Sequence, residues 1–444
     1  MRYYLISLGC PKNTVDAQDM ALLLQEAGYI PVDDPDDADL LLVNTCGFIE
    51  AARDESRQVL EDLARRKHPG QRLIAAGCWA QREGDELAGQ ISGLDGILGT
   101  RRWAEIVPFV RQLGQSQRVT LVGSPDLGVR ARLPRIARHG NSAYLKIADG
   151  CSAECAFCAI PLIKGPLHSR PASEIVEDAR QLADQGVLEI ILIAQDTTAY
   201  GQDRGEKDAL PDLLETLIET VPQVPWIRLM YAYPQHISAR LIETMAEYPQ
   251  ICHYFDLPLQ HAHPETLKRM RRPANIDRVR RLIDDLRDAM PDISLRTSFI
   301  VGYPGETEQE FRALEQFVRE VRFDKMGVFT YSPEADTLAF DLPDRVPEAV
   351  MAERYDRLMH LQQTISLEQN QAQIGRVLDV LIEGVGEAET EDANEPPMPV
   401  SVGRTYRDAP EIDGLVLIEG EIEAGQMIEV EIVDAMEYDL IGAI

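Results

Sequence analysis

Apolar and polar positions along the chain fall into three regimes. In the first, unbroken apolar runs alternate with helical patterns. RYYLISLG (2–9), DLLLVNT (39–45) and RLIAAG (72–77) read as strands, with helices over Val15–Ala27 and Phe48–Arg66. Such runs suit strands covered on both faces, and the alternation predicts a parallel sheet. A Rossmann-like parallel α/β domain is expected at residues 1–125. The following stretch, SPDLGVRARLPRIARHGNS (124–142), breaks the pattern with proline, glycine and four arginines. Residues 126–142 are read as a linker, although a solvated loop has the same composition.

The second regime repeats the alternation six times. Strands are expected at 143–148, 189–194, 226–231, 254–259, 295–302 and 325–331, with a closing helix over Glu348–Gln373. Six strand–helix units suit a partial (β/α)6 barrel of the TIM type at 143–372. The third regime, 373–444, has short alternating runs (VLDVLIEGV, GLVLIEG, QMIEVEIVDAM) separated by glycines. It predicts a small antiparallel β-barrel of OB-like form, with a loop at 387–399. The fold class is thus α/β in three domains.

Composition narrows the setting. No apolar stretch reaches membrane-span length, and MRYYLISLGC is too soon interrupted for a signal peptide, so a cytoplasmic protein is expected. Seven cysteines argue for metal or redox chemistry rather than a disulfide framework. The formal net charge of −30 disfavours nucleic acid as the main contact and suits a basic partner.

Cys151, Cys155 and Cys158 have the spacing CxxxCxxC and directly follow the first barrel strand. Soft thiolates at this spacing read as iron–sulfur or zinc ligands. A structural zinc site usually takes four protein ligands, whereas three thiolates on a cubane leave one iron for an outside ligand. With Phe157 before the last cysteine, the motif resembles the radical S-adenosylmethionine superfamily. The resemblance implies a four-iron, four-sulfur cluster whose open iron binds S-adenosylmethionine, which on reduction yields a 5′-deoxyadenosyl radical.

Cys10, Cys46 and Cys78 are distant in sequence, yet each closes a strand: YLISLGC, LLLVNTC and LIAAGC. In a parallel sheet these ends share one rim, where open α/β folds place ligands. One such cysteine is more often a small buried hydrophobe; three in one topological position suggest a second site. With SLGCPKNTVDAQDM and NTCGFIEAA, the set resembles the methylthiotransferase family over the whole chain. The resemblance implies an auxiliary four-iron, four-sulfur cluster on Cys10, Cys46 and Cys78, and a C-terminal TRAM domain. It implies transfer of an S-methyl group to an unactivated carbon, using two S-adenosylmethionine molecules per turnover and an unidentified reductant. Clusters and cofactor carry the chemistry, so no side chain is assigned as catalytic.

The family acts on a transfer-RNA adenosine or on an aspartate of ribosomal protein S-twelve. Residues 373–444 hold eighteen Asp and Glu against three Arg and no Lys, the wrong sign for gripping phosphates. An acidic barrel can attract a basic ribosomal protein, though acidity also serves solubility. WIRLMYAYP (226–234), PLQHAHPETLKRMRR (258–272) and GRTYRDAPEIDG (403–414) resemble the ribosomal-protein branch, which is the reading preferred here. In IPLIKGPLHSR (160–170), Lys164 and His168 stand where the family usually has arginines. A non-catalytic iron–sulfur carrier is the remaining alternative, and a monomer is expected.

The resemblance also suggests cofactor contacts at Phe157, Gln195, Asp196, Arg296 and Gly302. Asp196 is equally suited to cap a helix. Arg296 suits a cofactor carboxylate or simple core packing. Gly302 permits close backbone approach to a ligand or an ordinary turn. His261 and Tyr331 are substrate-site candidates, His261 doubling as a loop cap. Cys252 has no CxxC partner and reads as core.

Overall fold

The computed structural model describes residues 1–114, 118–124, 141–388 and 397–444. It divides into two compact units. One comprises Met1–Ile136, Ala148–His168 and Ser332–Phe340; the other comprises Ala137–Ile147, Ser169–Tyr331 and Asp341–Ile444.

In the first unit, β1 (Arg2–Ser7), β2 (Ile30–Pro31), β3 (Leu40–Thr45), β4 (Arg72–Ala76), β5 (Gly96–Gly99) and β6 (Val119–Leu121) form one sheet. Their order is β2-β1-β3-β4-β5-β6, and every pair is parallel. The three strands expected from the sequence are its centre. The others are two to four residues long, too short for a periodic signal. Every residue of β3 is buried, because helices cover both faces. Met20, Leu24 and Phe109 pack in the core cluster on one side, and Leu60, Leu63 and Trp79 in that on the other. The first helix, Pro11–Glu26, begins four residues before the expected start. Proline suits its first position, where no N–H is needed and its fixed φ is already helical.

In the second unit, six parallel strands run in chain order as two ladders of three. Ser142–Lys146, Glu189–Ile193 and Trp226–Leu229 form one; Tyr254–Asp256, Ser294–Val301 and Lys325–Thr330 form the other. These are the six expected barrel strands, and the closing helix spans Glu348–Gln371. Residues 126–140 of the expected linker lie outside the described residues, and Ser142 already opens a strand.

Val377–Ala388, Met398–Arg404, Val416–Glu419, Met427–Ala435 and Leu440–Ala443 close into a five-stranded barrel. Alternate residues fill it, among them Val380, Ile382, Ile418, Val430 and Ile432. One correction concerns strand direction. Val416–Glu419 pairs in parallel with Leu440–Ala443, whereas a wholly antiparallel barrel was expected. A closed ring with an odd number of strands cannot alternate direction all the way round. Of the loop expected at 387–399, residues 389–396 lie outside the described residues, and both flanks are strand.

The segment 403–414 joins two strands of this barrel and meets the opening residues of the parallel strands. Glu189 accepts from Arg228 Nε and from Arg404 Nη2, each at 2.7 Å, and all three side chains are fully buried. Lys325 pairs with Asp408 at 2.7 Å, and Arg407 with Asp324 at 2.8 Å. Each buried charge here has an opposite partner, which such burial requires.

Candidate functional site

The ends of β1, β3 and β4 deliver Cys10, Cys46 and Cys78. Cys10 is the N-cap of Pro11–Glu26, and Cys78 lies in the first turn of Gly77–Glu83. Glycine flanks each one because the three loops nearly touch. A Cβ on Gly9 would lie 2.8 Å from Cys46 Cβ, and one on Gly47 would lie 2.6 Å from the Trp79 backbone. Gly77 has φ +96°, and its Cβ would lie 2.6 Å from the Thr45 carbonyl. Asn13 stitches the loops together. Its Nδ2 donates to the carbonyls of Leu8 and Thr45, both at 3.0 Å, and its Oδ1 accepts from Cys78 Sγ at 3.3 Å. Burial pushes the Cys46 thiol up and the Cys78 thiol up to about 12. A metal held there would displace such protons, since thiolate is the ligand form.

Cys151, Cys155 and Cys158 lie on an irregular loop between Ala148–Asp149 and the short helix Ile160–Lys164. Gly150 turns the chain at φ +73°, where a Cβ would meet the Pro166 carbonyl at 2.0 Å. Cys151 N donates to the Gly165 carbonyl at 3.0 Å, and Leu167 N donates to Ser152 Oγ at 3.1 Å. The three cysteines and Phe157 are half-buried. The loop's far side is held by Ala339 N, which donates to the Ala156 carbonyl at 2.8 Å.

Both triplets belong to the first unit, and packing links Cys78 to the residues that follow Cys158. Cys78 forms a buried cluster with Ala159 and Ile163, which follow Cys158. Lys164 Nζ reaches Asp16 Oδ2 on the first helix at 2.7 Å and Asp149 Oδ1 at 3.4 Å. Among the described residues, no three cysteine, histidine or acidic side chains are set to grasp a single metal ion. Sets of cysteine donors alone, three on separate loops and three on one loop, fit iron–sulfur clusters, whose ligands bind different irons.

The remaining sequence candidates lie in the second unit. Asp196 caps the turn Thr197–Ala199: its Oδ1 accepts from Ala199 N at 3.1 Å and Thr198 Oγ1 at 2.7 Å, while Oδ2 meets His236 Nδ1 at 2.8 Å. Gln195, beside it, is half-buried. Arg296 is held by Asp256 at 2.9 Å and Asp413 at 3.3 Å. Gly302, at φ +75°, gives room to Met351 of the closing helix, which a Cβ would meet at 2.1 Å. Its N–H donates to Glu306 at 2.7 Å. Tyr331 is buried, with its ring edge-on to Tyr303 at 5.2 Å. His261 is buried; its Nδ1 accepts from His263 N at 2.9 Å, and burial pushes its pKa down to about 3. Its Nε2 has no hydrogen-bond partner among the described residues. Cys252 is buried in the core, as expected.

Sequence reasoning missed Asn13 and Glu334. Asn13 lies three residues after Cys10, a spacing the SLGCPKN motif already displays. Glu334 accepts from Arg82 at 2.7 Å, from Glu50 N at 2.9 Å, from Ser332 at 2.7 Å and from Arg53. Nothing local in YSPEADT announces those distant partners.

Comparison with known proteins covers all three regions of the chain. Residues 2–99 match the model described as uncharacterized protein family UPF0004, residues 145–318 the radical SAM superfamily, and residues 374–444 the TRAM domain. A protein of Roseiflexus sp. named ribosomal protein uS12 methylthiotransferase RimO is 49% identical, covering 100% of this chain and 97% of its own length. One of the same name from Chloroflexus aurantiacus is 50% identical, covering 100% and 99%. One from Heliobacterium modesticaldum is 44% identical, covering 100% and 95%. Among solved structures, the radical S-adenosylmethionine methyltransferase TsrM from Kitasatospora setae, with tryptophan and a cofactor analogue bound, gives a TM-score of 0.57. It is 14% identical and covers 89% of this chain and 79% of its own, a likeness of fold alone. No helix among the described residues is long and apolar enough to cross a membrane. Identity sustained from end to end places this chain in the RimO family of radical S-adenosylmethionine methylthiotransferases.

Proposed function

We propose that this enzyme adds an S-methyl group to the β-carbon of an aspartate in ribosomal protein uS12, using two four-iron, four-sulfur clusters. Cys10, Cys46 and Cys78 hold one cluster, and Cys151, Cys155 and Cys158 hold the other. The observation that supports this reading is that both triplets lie in one compact unit, where Cys78 packs on residues that follow Cys158. When bound, clusters and S-adenosylmethionine supply the radical, the sulfur and the methyl group.

The chain's own residues shape and charge the site. The glycines beside the first triplet let three loops converge, and Asn13 fixes their spacing. Phe157, Gln195 and Asp196 are assigned to the cofactor's surroundings. Arg296 and Gly302 are assigned to cofactor binding as well. His261, neutral through the working pH range, and Tyr331 are assigned to the substrate side. We take the domains as 1–125, 143–372 and 373–444, with a linker at 126–142.

The C-terminal barrel suits a basic partner. Two of its three arginines, Arg404 and Arg407, are buried in ion pairs. Glu419, Glu421, Glu423, Glu429, Glu431 and Asp434 are exposed. Such a surface attracts a basic ribosomal protein and repels RNA phosphates. Action as a cytoplasmic monomer with a separate reductant completes the reading. The test is mass spectrometry of uS12 after reaction with the reconstituted enzyme, S-adenosylmethionine and dithionite. SCH₃ in place of hydrogen on one aspartate is expected. Methylthiolation of transfer RNA in place of uS12 overturns the substrate assignment, and absence of 5′-deoxyadenosine overturns the radical chemistry.

A further inference from the structure

Lys164 is a buried cation that the proposed reaction does not use. Its short helix, Ile160–Lys164, is pinned from the neighbouring domain of the same unit. Arg101 Nε donates to the Ile163 carbonyl at 2.9 Å, and Arg101 Nη2 donates to the Leu162 carbonyl at 3.2 Å. The preceding residue, Ile163, packs on Cys78. The Lys164 side chain is 4% exposed, and its partner Asp16 is 2% exposed. Asp16 lies on the helix capped by Cys10, and Asp149 lies two residues before Cys151. The ammonium therefore stands among elements that carry Cys10, Cys78 and Cys151.

We propose that Lys164 tunes the reduction potential of the cluster held by Cys10, Cys46 and Cys78, by fixing one buried positive charge beside it. The inference rests on the reading of that triplet as a cluster site. Reduction adds one electron and makes the thiolate-bound cluster more negative. A fixed cation in a poorly screened interior favours that state and raises the potential. Asp16 acts in the opposite sense. Arginine has the same charge, so the proposal concerns the cation and not lysine as such. A lysine too remote or too well screened to act on the cluster would leave the potential unchanged.

The test uses the full chain, reconstituted without oxygen and carrying Cys151→Ala, Cys155→Ala and Cys158→Ala, so that one cluster reports. Dithionite titration followed by electron paramagnetic resonance compares this background with added Lys164→Met, Lys164→Arg and Asp16→Asn. Lys164→Met is expected to lower the reduced-to-oxidised ratio at fixed potential about tenfold, a downward shift of about 59 mV for one electron. Asp16→Asn is expected to shift it upward, and Lys164→Arg to stay near the background. Potentials unchanged in both Lys164→Met and Asp16→Asn overturn the proposal while leaving the cluster in place. If Lys164→Met fails to hold iron, Asp16→Asn decides: an upward shift supports the proposal and no shift overturns it. A background protein with no iron overturns the cluster reading, and the proposal with it.

Discussion

Cys78 Sγ donates to Asn13 Oδ1 at 3.3 Å, so a neutral amide on the first helix touches a thiol sixty-five residues away. The same amide donates to the loops of the other two cysteines. Asn13 is buried, and Asn44 Nδ2 donates to its backbone carbonyl at 2.7 Å. The three loops are therefore positioned by one side chain rather than by their own strands alone.

Replacing Asn13 with alanine takes this donor from the buried Thr45 carbonyl and the half-buried Leu8 carbonyl. The cost is expected at about 2 kcal/mol, from the usual penalty for stranded buried polar groups. Iron on the first triplet is expected to fall while iron on Cys151, Cys155 and Cys158 stays. Iron and sulfide assays in the wild-type chain and in each triplet's alanine background measure this. Equal loss from both triplets would count against a local role for Asn13.

Glu189 joins Arg228 and Arg404, so it carries the attachment of segment 403–414 to the parallel strands. Glu189→Ala leaves the buried Arg228 without its carboxylate and Arg404 with Glu383 alone, and is expected to destabilise the chain by about 3 kcal/mol. The two arginines hold the Glu189 carboxyl down at about 2, against an ordinary 4.5. Its stabilising contribution is complete above pH 4.5 and is lost as pH falls toward 2. Denaturant unfolding of wild type and Glu189→Gln is therefore expected to differ most above pH 4.5 and to converge in acid. A difference that stays constant with pH rules this linkage out.

Most of the architecture was legible because it rests on period and position. Continuous apolar runs marked β1, β3 and β4, and the cysteines at their ends marked one rim. The short β5 and β6 were invisible, since three or four residues hold no period. The parallel pair in the C-terminal barrel follows from strand count, which alternation alone does not reveal. GRTYRDAPEIDG was read as a mark of substrate choice, and the structure gives Arg404, Arg407, Asp408 and Asp413 internal partners. Those partners lie up to 215 residues away, so sequence proximity gave no hint of them.

His261 is held neutral by burial, with its pKa pushed down to about 3 from 6.5. In the unfolded chain it gains a proton near pH 6.5, and in the folded chain it does not. Its contribution to stability is thus complete above pH 6.5 and declines as pH falls toward 3. The loss approaches about 1.4 kcal/mol per pH unit for one such group. His261→Gln removes the titration, so the stability gap between wild type and variant is expected to change by about 1–2 kcal/mol between pH 7 and pH 5. Unfolding curves at the two pH values measure it, and a gap independent of pH excludes the buried neutral imidazole.

Glu334 is the last connection to test, because it ties a segment late in the chain to both cysteine-bearing regions of the first unit. Its Oε2 accepts from Arg53, on the helix following Cys46, and from Arg82, on the helix containing Cys78. The same segment holds the Cys155–Cys158 loop through Ala339. Glu334→Ala breaks the clamp and is expected to cost about 3 kcal/mol, since both guanidiniums are largely buried. Glu334→Gln keeps an acceptor oxygen and is expected to cost less. If Glu334 couples the regions, amide hydrogen exchange in Glu334→Ala rises together at residues 47–53, 155–158 and 332–340. Exchange that rises only at 332–340 shows a local anchor, with no coupling between the two triplets.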